Sequence, residues 1–377
     1  MDEASDARTD WCADVQSKLL AWYDSSNRDL PWRRSQDPYA VLVSEIMLVQ
    51  TTVSAVIPFY ERFLRQFPSV QALADADEEA VLKAWEGLGY YRRARQLQAA
   101  ARRVVNVHAG KFPHEMAEIR ALPGVGRYIA GAVASIAFAQ PEPILEANSQ
   151  RVLARLIACE GDLSRAMTQK RLWLAAGRLV PSRRPGDFNQ ALIDLGALVC
   201  QPQAPKCLLC PVQSRCRAFA LGNQESLPVK TPRPKPIAGA EICVLIRGRE
   251  GVLITQRGKG VLWENFWEFP TVWLEGSNPS GRGKAGAGDE GLAADILGLT
   301  GLRIRLGEEL GRVGYTVTRH RMRLTARAAF LKGGVAQTGP GIQAVRWVSA
   351  FELKGLPLAS ATRGLLRSLP NDCFEAR

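Results

Sequence analysis

Two glutamates in this chain lie in surroundings that suit them to opposite acid–base tasks. Glu45 sits inside the apolar stretch 44-SEIMLVQTTV-53, and at helical spacing its neighbours are Val41, Leu42, Leu48 and Val49. A carboxyl on such a face loses hydration, its charged form is disfavoured, and it holds a proton near neutrality as a general acid must. Glu146 follows the apolar run Pro143-Ile144-Leu145 and precedes a helix expected to start near Asn148 or Ser149. The positive end of a helix favours a carboxylate at that point, and taken alone Glu146 reads as a helix cap. As a pair, a proton donor and a carboxylate are what breaks a glycosidic bond through a cationic, oxocarbenium-like state. One protonates the leaving group while the other faces the developing charge.

Two further groups carry chemistry. Four cysteines lie in 200-CQPQAPKCLLCPVQSRC-216, at the spacing C-x6-C-x2-C-x5-C. Thiolates gathered on one compact loop suit either tetrahedral zinc or a four-iron, four-sulfur cluster, and the spacing alone does not choose. The remaining cysteines, at 12, 159, 243 and 373, are scattered along the chain. The second group is 122-LPGVGR-127, which runs into the apolar stretch 127-RYIAGAVASIAF-138. Glycines let two helices meet at a tight turn with backbone N–H groups outward. Gly124, Val125 and Gly126 are therefore candidates to grip a DNA phosphate without reading sequence.

Positioning these groups requires helices almost throughout residues 10–220. Asp37-Pro38 opens one, with a break expected near Pro58, and others are predicted over 77–85, 92–108, 127–138, 149–159, 168–180 and 187–199. The proline- and lysine-rich stretch 223–239 reads as a linker. Beyond it come strand-like runs at 242–247, 252–257, 266–273, 324–330 and 345–347, helices near 289–298 and 359–368, and a flexible Gly-rich loop at 276–291. The fold class is therefore multi-domain: an all-α domain, a linker and a smaller α+β domain. The 377 residues suffice for two cores, and the net charge of +12 points to a polyanionic partner. No apolar run reaches a membrane span and the acidic start MDEASDARTD is not a signal peptide. A cytoplasmic, DNA-associated protein is expected.

The stretches LPWR (30–33), SEIMLVQTTV (44–53), GLGYYRRAR (87–95), LPGVGRYIAGA (122–132) and FNQALIDLGALVC (188–200), with the four cysteines, resemble the adenine DNA glycosylase (MutY) family of the endonuclease III-like helix-hairpin-helix superfamily. Their order covers nearly all of residues 20–220. The resemblance implies a glycosylase domain over 1–222, with a hairpin-bearing helical barrel at 36–139 and a second lobe of 1–35 plus 140–222. A Nudix-like domain over 240–377 would inspect the base opposite adenine. It further implies a [4Fe-4S] cluster on Cys200, Cys207, Cys210 and Cys216, and a monomer that removes adenine mispaired with 8-oxoguanine or G in double-stranded DNA. Glu45 would be the acid and Glu146, with Asn148, its partner. Trp32, Arg33, Gln190 and Asp194 would form the adenine pocket. Gln50, Thr51 and Tyr90 would lie at the opposite base. Tyr128 stands where lyase relatives carry a Schiff-base lysine, which implies a monofunctional hydrolase.

This chain departs from expected patterns at four points. Glu146-Ala147-Asn148 stands where Asp-Gly-Asn or Asp-Ala-Asn is usual, and Val49 where glutamine is commoner. The C-terminal segment 285–298 lacks the glutamates of a catalytic Nudix box, which excludes pyrophosphate hydrolysis. The family's Phe-Ser-His loop corresponds only to Val317-Thr318-Arg319 followed by His320, leaving Arg319 and His320 as candidate contacts. A relative with relaxed base specificity and a catalytically silent Fe–S protein that binds DNA are the competing readings.

Overall fold

A computed structural model of the chain describes residues 3–231 and 234–374. It divides into two compact units, Met1–Asp75 with Arg95–Pro232, and Ala76–Ala94 with Arg233–Arg377. None of the helices among the described residues is long and apolar enough to cross a membrane.

The first unit is helical. Asp37 caps the helix Pro38–Leu48 by accepting the Tyr39 amide, and Pro38 supplies a first-turn residue that has no N–H to satisfy. That helix is buried from Tyr39 to Met47, Glu45 included. The expected break near Pro58 is not there: the helix Val53–Gln66 runs through it. Pro58 lies one turn inside that helix and is exposed, as is Ser54, so the carbonyl that the proline cannot serve belongs to a residue on the solvent-facing side. The chain breaks instead between Val49 and Thr52, where Gln50 takes a left-handed conformation at φ +59°. The apolar pattern continues across that break, which is why periodicity does not reveal it.

A second set of helices packs Val15, Leu19 and Tyr23 against Val152, Leu153, Leu172, Phe188, Leu192 and Leu195. The helices Ala147–Leu156 and Pro185–Leu198 approach closely at Gly196. A Cβ there would stand 2.6 Å from the Cβ of Asn148, so only glycine fits. The start of the predicted linker is docked rather than loose, because buried Arg155 donates to the Leu227 carbonyl at 2.9 Å and Leu163 N–H to Val229 O at 3.2 Å.

The second unit holds a seven-stranded mixed sheet. Its strands are β1 (Ile237–Gly248), β2 (Gly251–Arg257), β3 (Trp267–Glu268), β4 (Thr271–Gly276), β5 (Leu302–Val317), β6 (His320–Gly334) and β7 (Ile342–Val348). The path runs β3-β2-β1-β6-β5, with β4 beside β1, β7 beside β2, and β1 parallel to β6. Strand alternation supplies two cores. Cys243 and Leu245 join Leu353, Leu358 and Leu365 on one face, while Ile242, Val244 and Ile246 join Leu292 and Ile296 on the other.

Three expectations change here. The run 266–273 is split by Phe269-Pro270 into β3 and β4, since proline cannot donate to a ladder. β5 was not foreseen: its charged residues, its glycines and its register shifts hide the period of two. The Gly-rich stretch 276–291 is tied down. Arg282, nearly inaccessible, pairs with Glu241 at 3.0 Å and with Glu268, and Tyr315 Oη donates to Glu241 at 2.6 Å.

Candidate active site

Glu45 and Glu146 line one cavity of about 380 Å³, a size typical of small-molecule sites. Trp32, Arg33, Ser44, Val49, Gln50, Thr51, Tyr128, Asn148 and Gln190 also line it. Glu45 is 5% exposed. Burial pushes its carboxyl up from 4.5 to about 7; the Tyr128 hydrogen bond lowers it, the charge of Glu146 raises it and that of Arg33 lowers it. Tyr128 Oη donates to Glu45 Oε2 at 2.5 Å. Burial and the two carboxylates hold the phenol well above 10, so it stays a donor.

Glu146 is the cap of the helix Ala147–Leu156. Its Oε1 accepts the amides of Asn148 and Ser149, both at 2.8 Å, and Ser149 Oγ accepts the Glu146 amide at 2.8 Å. This reciprocal box fixes both backbone and side chain. Oε2 receives Asn148 Nδ2 at 3.3 Å. Asn148 is itself oriented by Arg151, whose Nη2 donates to Asn148 Oδ1 at 2.9 Å and to the Gly196 carbonyl at 2.7 Å. One carboxyl is thus buried beside a phenol and the other pinned on helix amides, which is the division of environment that acid-assisted bond cleavage requires.

The Asp194 expectation needs correcting. It does not line the cavity: it is fully buried and accepts Arg28 Nε at 2.8 Å, Arg28 Nη2 at 2.5 Å, Arg33 Nη1 at 2.7 Å and Arg33 Nη2 at 2.9 Å. Its work is to hold two guanidinium groups on the cavity wall, one being Arg28, which the sequence reading passed over. Trp32 is buried and stacks edge-on against Tyr60 at 5.6 Å.

At the hairpin, Gly124 has φ +76° and Gly126 caps the helix Arg127–Phe138. Val125 is the exception among the three candidates. Its side chain is buried and its N–H returns to Leu122 O at 3.1 Å, so it presents no amide outward. The amides at the head of the following helix have no intrahelical acceptor and suit an anion.

None of the four clustered cysteines is joined in a disulfide. Cys200, Cys210 and Cys216 all pack against the core that holds Val152, Leu153, Phe188 and Leu195. Among the described residues no three His, Cys, Asp or Glu side chains close on a single-ion point. In the second unit, Tyr90 is 52% exposed. Arg319 lies in the β5–β6 turn beside Thr318, which has φ +51°, and His320 Nδ1 contacts Ser277 Oγ.

A curated human protein, adenine DNA glycosylase, is 36% identical over 422 residues, spanning 96% of this chain and 76% of that protein. The chain belongs to the adenine DNA glycosylase family. An adenine DNA glycosylase from Buchnera aphidicola is 34% identical, over 67% of this chain and 73% of its own length. Residues 43–176 match the HhH-GPD superfamily of base excision DNA repair proteins and residues 241–368 a NUDIX domain. A solved thermostable thymine-DNA glycosylase is similar over 58% of this chain and all of its own, at 31% identity and a TM-score of 0.53. Membership of the adenine DNA glycosylase family makes the chain a DNA N-glycosylase, a hydrolase of base excision repair, as its motifs led one to expect.

Against the family's motifs, Gln50 and Thr51 line the cavity of the first unit, whereas Tyr90, Arg319 and His320 belong to the second. Arg151 is the second residue the sequence reading missed. Its signal was an arginine three residues after Asn148, a spacing that places both on one helix face.

Proposed function

We propose that the enzyme removes adenine mispaired with 8-oxoguanine or G in double-stranded DNA, acting as a monofunctional glycosylase and a monomer. The observation that carries this reading is the pairing, in one cavity, of a buried glutamic acid and a glutamate fixed on helix amides. The adenine must leave the stack to reach a cavity of this kind. Trp32, Gln190 and the two arginines held by Asp194 receive it. Glu45 protonates the ring, and the bond from C1′ to the base breaks with its electrons leaving on adenine. Glu146, steadied by Asn148, faces the cationic sugar until water completes the hydrolysis. Tyr128 replaces the amine that a lyase needs and instead holds Glu45. Gly124, Gly126 and the amides behind them grip a phosphate. Gln50, Thr51, Tyr90, Arg319 and His320 are assigned to the opposite base.

Cys200, Cys207, Cys210 and Cys216, with Arg155 Nη1 donating to Cys200 Sγ at 3.3 Å, are a donor set suited to a [4Fe-4S] cluster. Such a cluster would be held by these four cysteines and would supply metal–thiolate bonds that tie down the loop 200–216. No step of the reaction above passes through it.

Single-turnover base release from duplexes carrying adenine opposite 8-oxoguanine, G, C and T tests the assignment. Release is expected opposite 8-oxoguanine and, more slowly, opposite G. Equal release from all four would show relaxed specificity, and tight binding without release would leave a DNA-binding protein with no glycosylase activity.

A further inference from the structure

Residues 86–91 join the helices Glu78–Trp85 and Arg92–His108, and this turn belongs to the unit that contains the sheet. Gly87, Gly89 and Tyr90 all have positive φ, at 106°, 70° and 49°. For tyrosine that conformation is strained, so it persists only where surrounding contacts enforce it. Those contacts are local on one side. Arg93 Nη2 donates to Leu88 O at 3.3 Å and Gly89 O at 3.2 Å, with its guanidinium 5.3 Å from the centre of the Tyr90 ring.

On the other side the contacts come from the C-terminal part of the chain. Arg363 grips Glu86 with two bonds, Nε at 2.5 Å and Nη2 at 2.8 Å, and also donates to Leu356 O at 3.0 Å. Lys83 Nζ joins Glu86 at 2.9 Å and the carbonyls of Lys354 and Leu356 at 2.6 and 3.0 Å. Tyr91 packs its ring 4.2 Å from that of Phe266 and bonds Ser360 Oγ at 3.1 Å. Between these anchored residues only Tyr90 turns a large apolar surface outward.

We infer that Arg363 is a positioning residue for opposite-base recognition: through Glu86 it fixes the turn that presents Tyr90. A two-bond guanidinium–carboxylate contact sets angles as well as distance, and lysine or a neutral amide does not reproduce it. Both side chains are largely screened from water, at 18% and 11% exposure, so the contact is stronger than a surface pair. The C-terminal part of the chain therefore influences discrimination by two routes, its own β5–β6 turn and the posture of Tyr90. The inference rests on the assignment of Tyr90 to the opposite base.

The test measures single-turnover adenine release opposite 8-oxoguanine and opposite G by the full chain. It compares wild type, Arg363→Gln, Glu86→Gln, Tyr90→Ala, and each of the first two combined with Tyr90→Ala. Destabilisation lowers the active fraction equally on both substrates, so the ratio of the two rates reports positioning and not folding. Arg363→Gln and Glu86→Gln are each expected to lower the ratio about 10-fold, within the ~100-fold loss that a 1 Å misplacement can produce. Neither is expected to lower it further in the Tyr90→Ala background, since residues acting as one unit are not additive. An unchanged ratio in both single variants, or a full additional loss in the Tyr90→Ala background, overturns the inference. If Tyr90→Ala alone leaves the ratio unchanged, the Tyr90 assignment falls and the inference with it. If Tyr90→Ala lowers the ratio while Arg363→Gln does not, the inference alone falls.

Discussion

Replacing Glu45 with glutamine should make the protein inactive and, above neutral pH, more stable. The folded protein raises this carboxyl from 4.5 to about 7, mainly by burying it. Below about pH 4.5 the group carries a proton whether the chain is folded or unfolded. Between 4.5 and 7 only the folded chain retains it, so the folded state binds the extra proton and loses stability as pH rises. At roughly 1.36 kcal/mol per pKa unit the full loss is about 3 kcal/mol, nearly all of it in place by pH 8 and under about 1 kcal/mol at pH 5. Glutamine has the same shape, can accept the Tyr128 hydrogen bond, and never ionises.

The assay is thermal unfolding of both proteins at pH 5 and pH 8, with base release measured alongside. Glu45→Gln is expected to gain about 2–3 kcal/mol on wild type in going from pH 5 to pH 8. That corresponds to a relative rise in Tm of about 4–12 °C for a unit of this size. A Tm difference that does not change with pH would refute the argument that burial of an ionisable group sets the proton affinity of Glu45. Undiminished base release by the variant would refute its role as the acid.

Three further outcomes follow from the same geometry. Tyr128→Phe removes a hydrogen bond that favours the carboxylate, so the alkaline limb of the pH–rate profile should move up; hydrogen bonds to charged groups exceed neutral ones by about 1 kcal/mol, which makes the move ~0.5–1 pH unit. Glu146→Gln keeps an oxygen for the Asn148 and Ser149 amides and should fold normally yet lose base release, whereas Glu146→Asp should retain it, as single-turnover rates and circular dichroism would show. Gly196→Ala drives a methyl group to 2.6 Å from the Asn148 Cβ and should slow base release ~10- to 100-fold, with ground-state DNA affinity measured by titration changing far less.

Both glutamates were legible in the sequence, because burial at helical spacing and a position ahead of a helix are local patterns. So were the helix bounds Arg92–His108 and Arg127–Phe138, where the apolar period ends at a turn. What escaped was set by contacts between distant residues. Asp194 reads as one polar residue on a helix, and only the fold brings Arg28 and Arg33 to it from 166 and 161 residues away. Arg282 stands in a stretch that looks like flexible loop, yet Glu241, 41 residues before it, fixes it in the core. The break at Val49–Thr52 left no mark either, since a left-handed Gln50 changes the chain's direction without changing the apolar pattern.

The capping and catalytic readings of Glu146 are one arrangement. A glutamate is one methylene longer than the aspartate usual in the family, and a free side chain of that length would have more rotamers to lose on meeting the sugar. The capping box removes that freedom beforehand. Ser149 fixes the backbone amide, and two helix amides fix Oε1. Only Oε2 is left for the cavity, with a single long contact from Asn148 Nδ2 at 3.3 Å. Because Arg151 and Gly196 set the position of Asn148, the orientation of that oxygen is decided by the packing of two helices and not by side-chain length. On the function proposed above, the helix end absorbs the extra methylene while a carboxylate oxygen is still presented to the cavity that Glu45 shares.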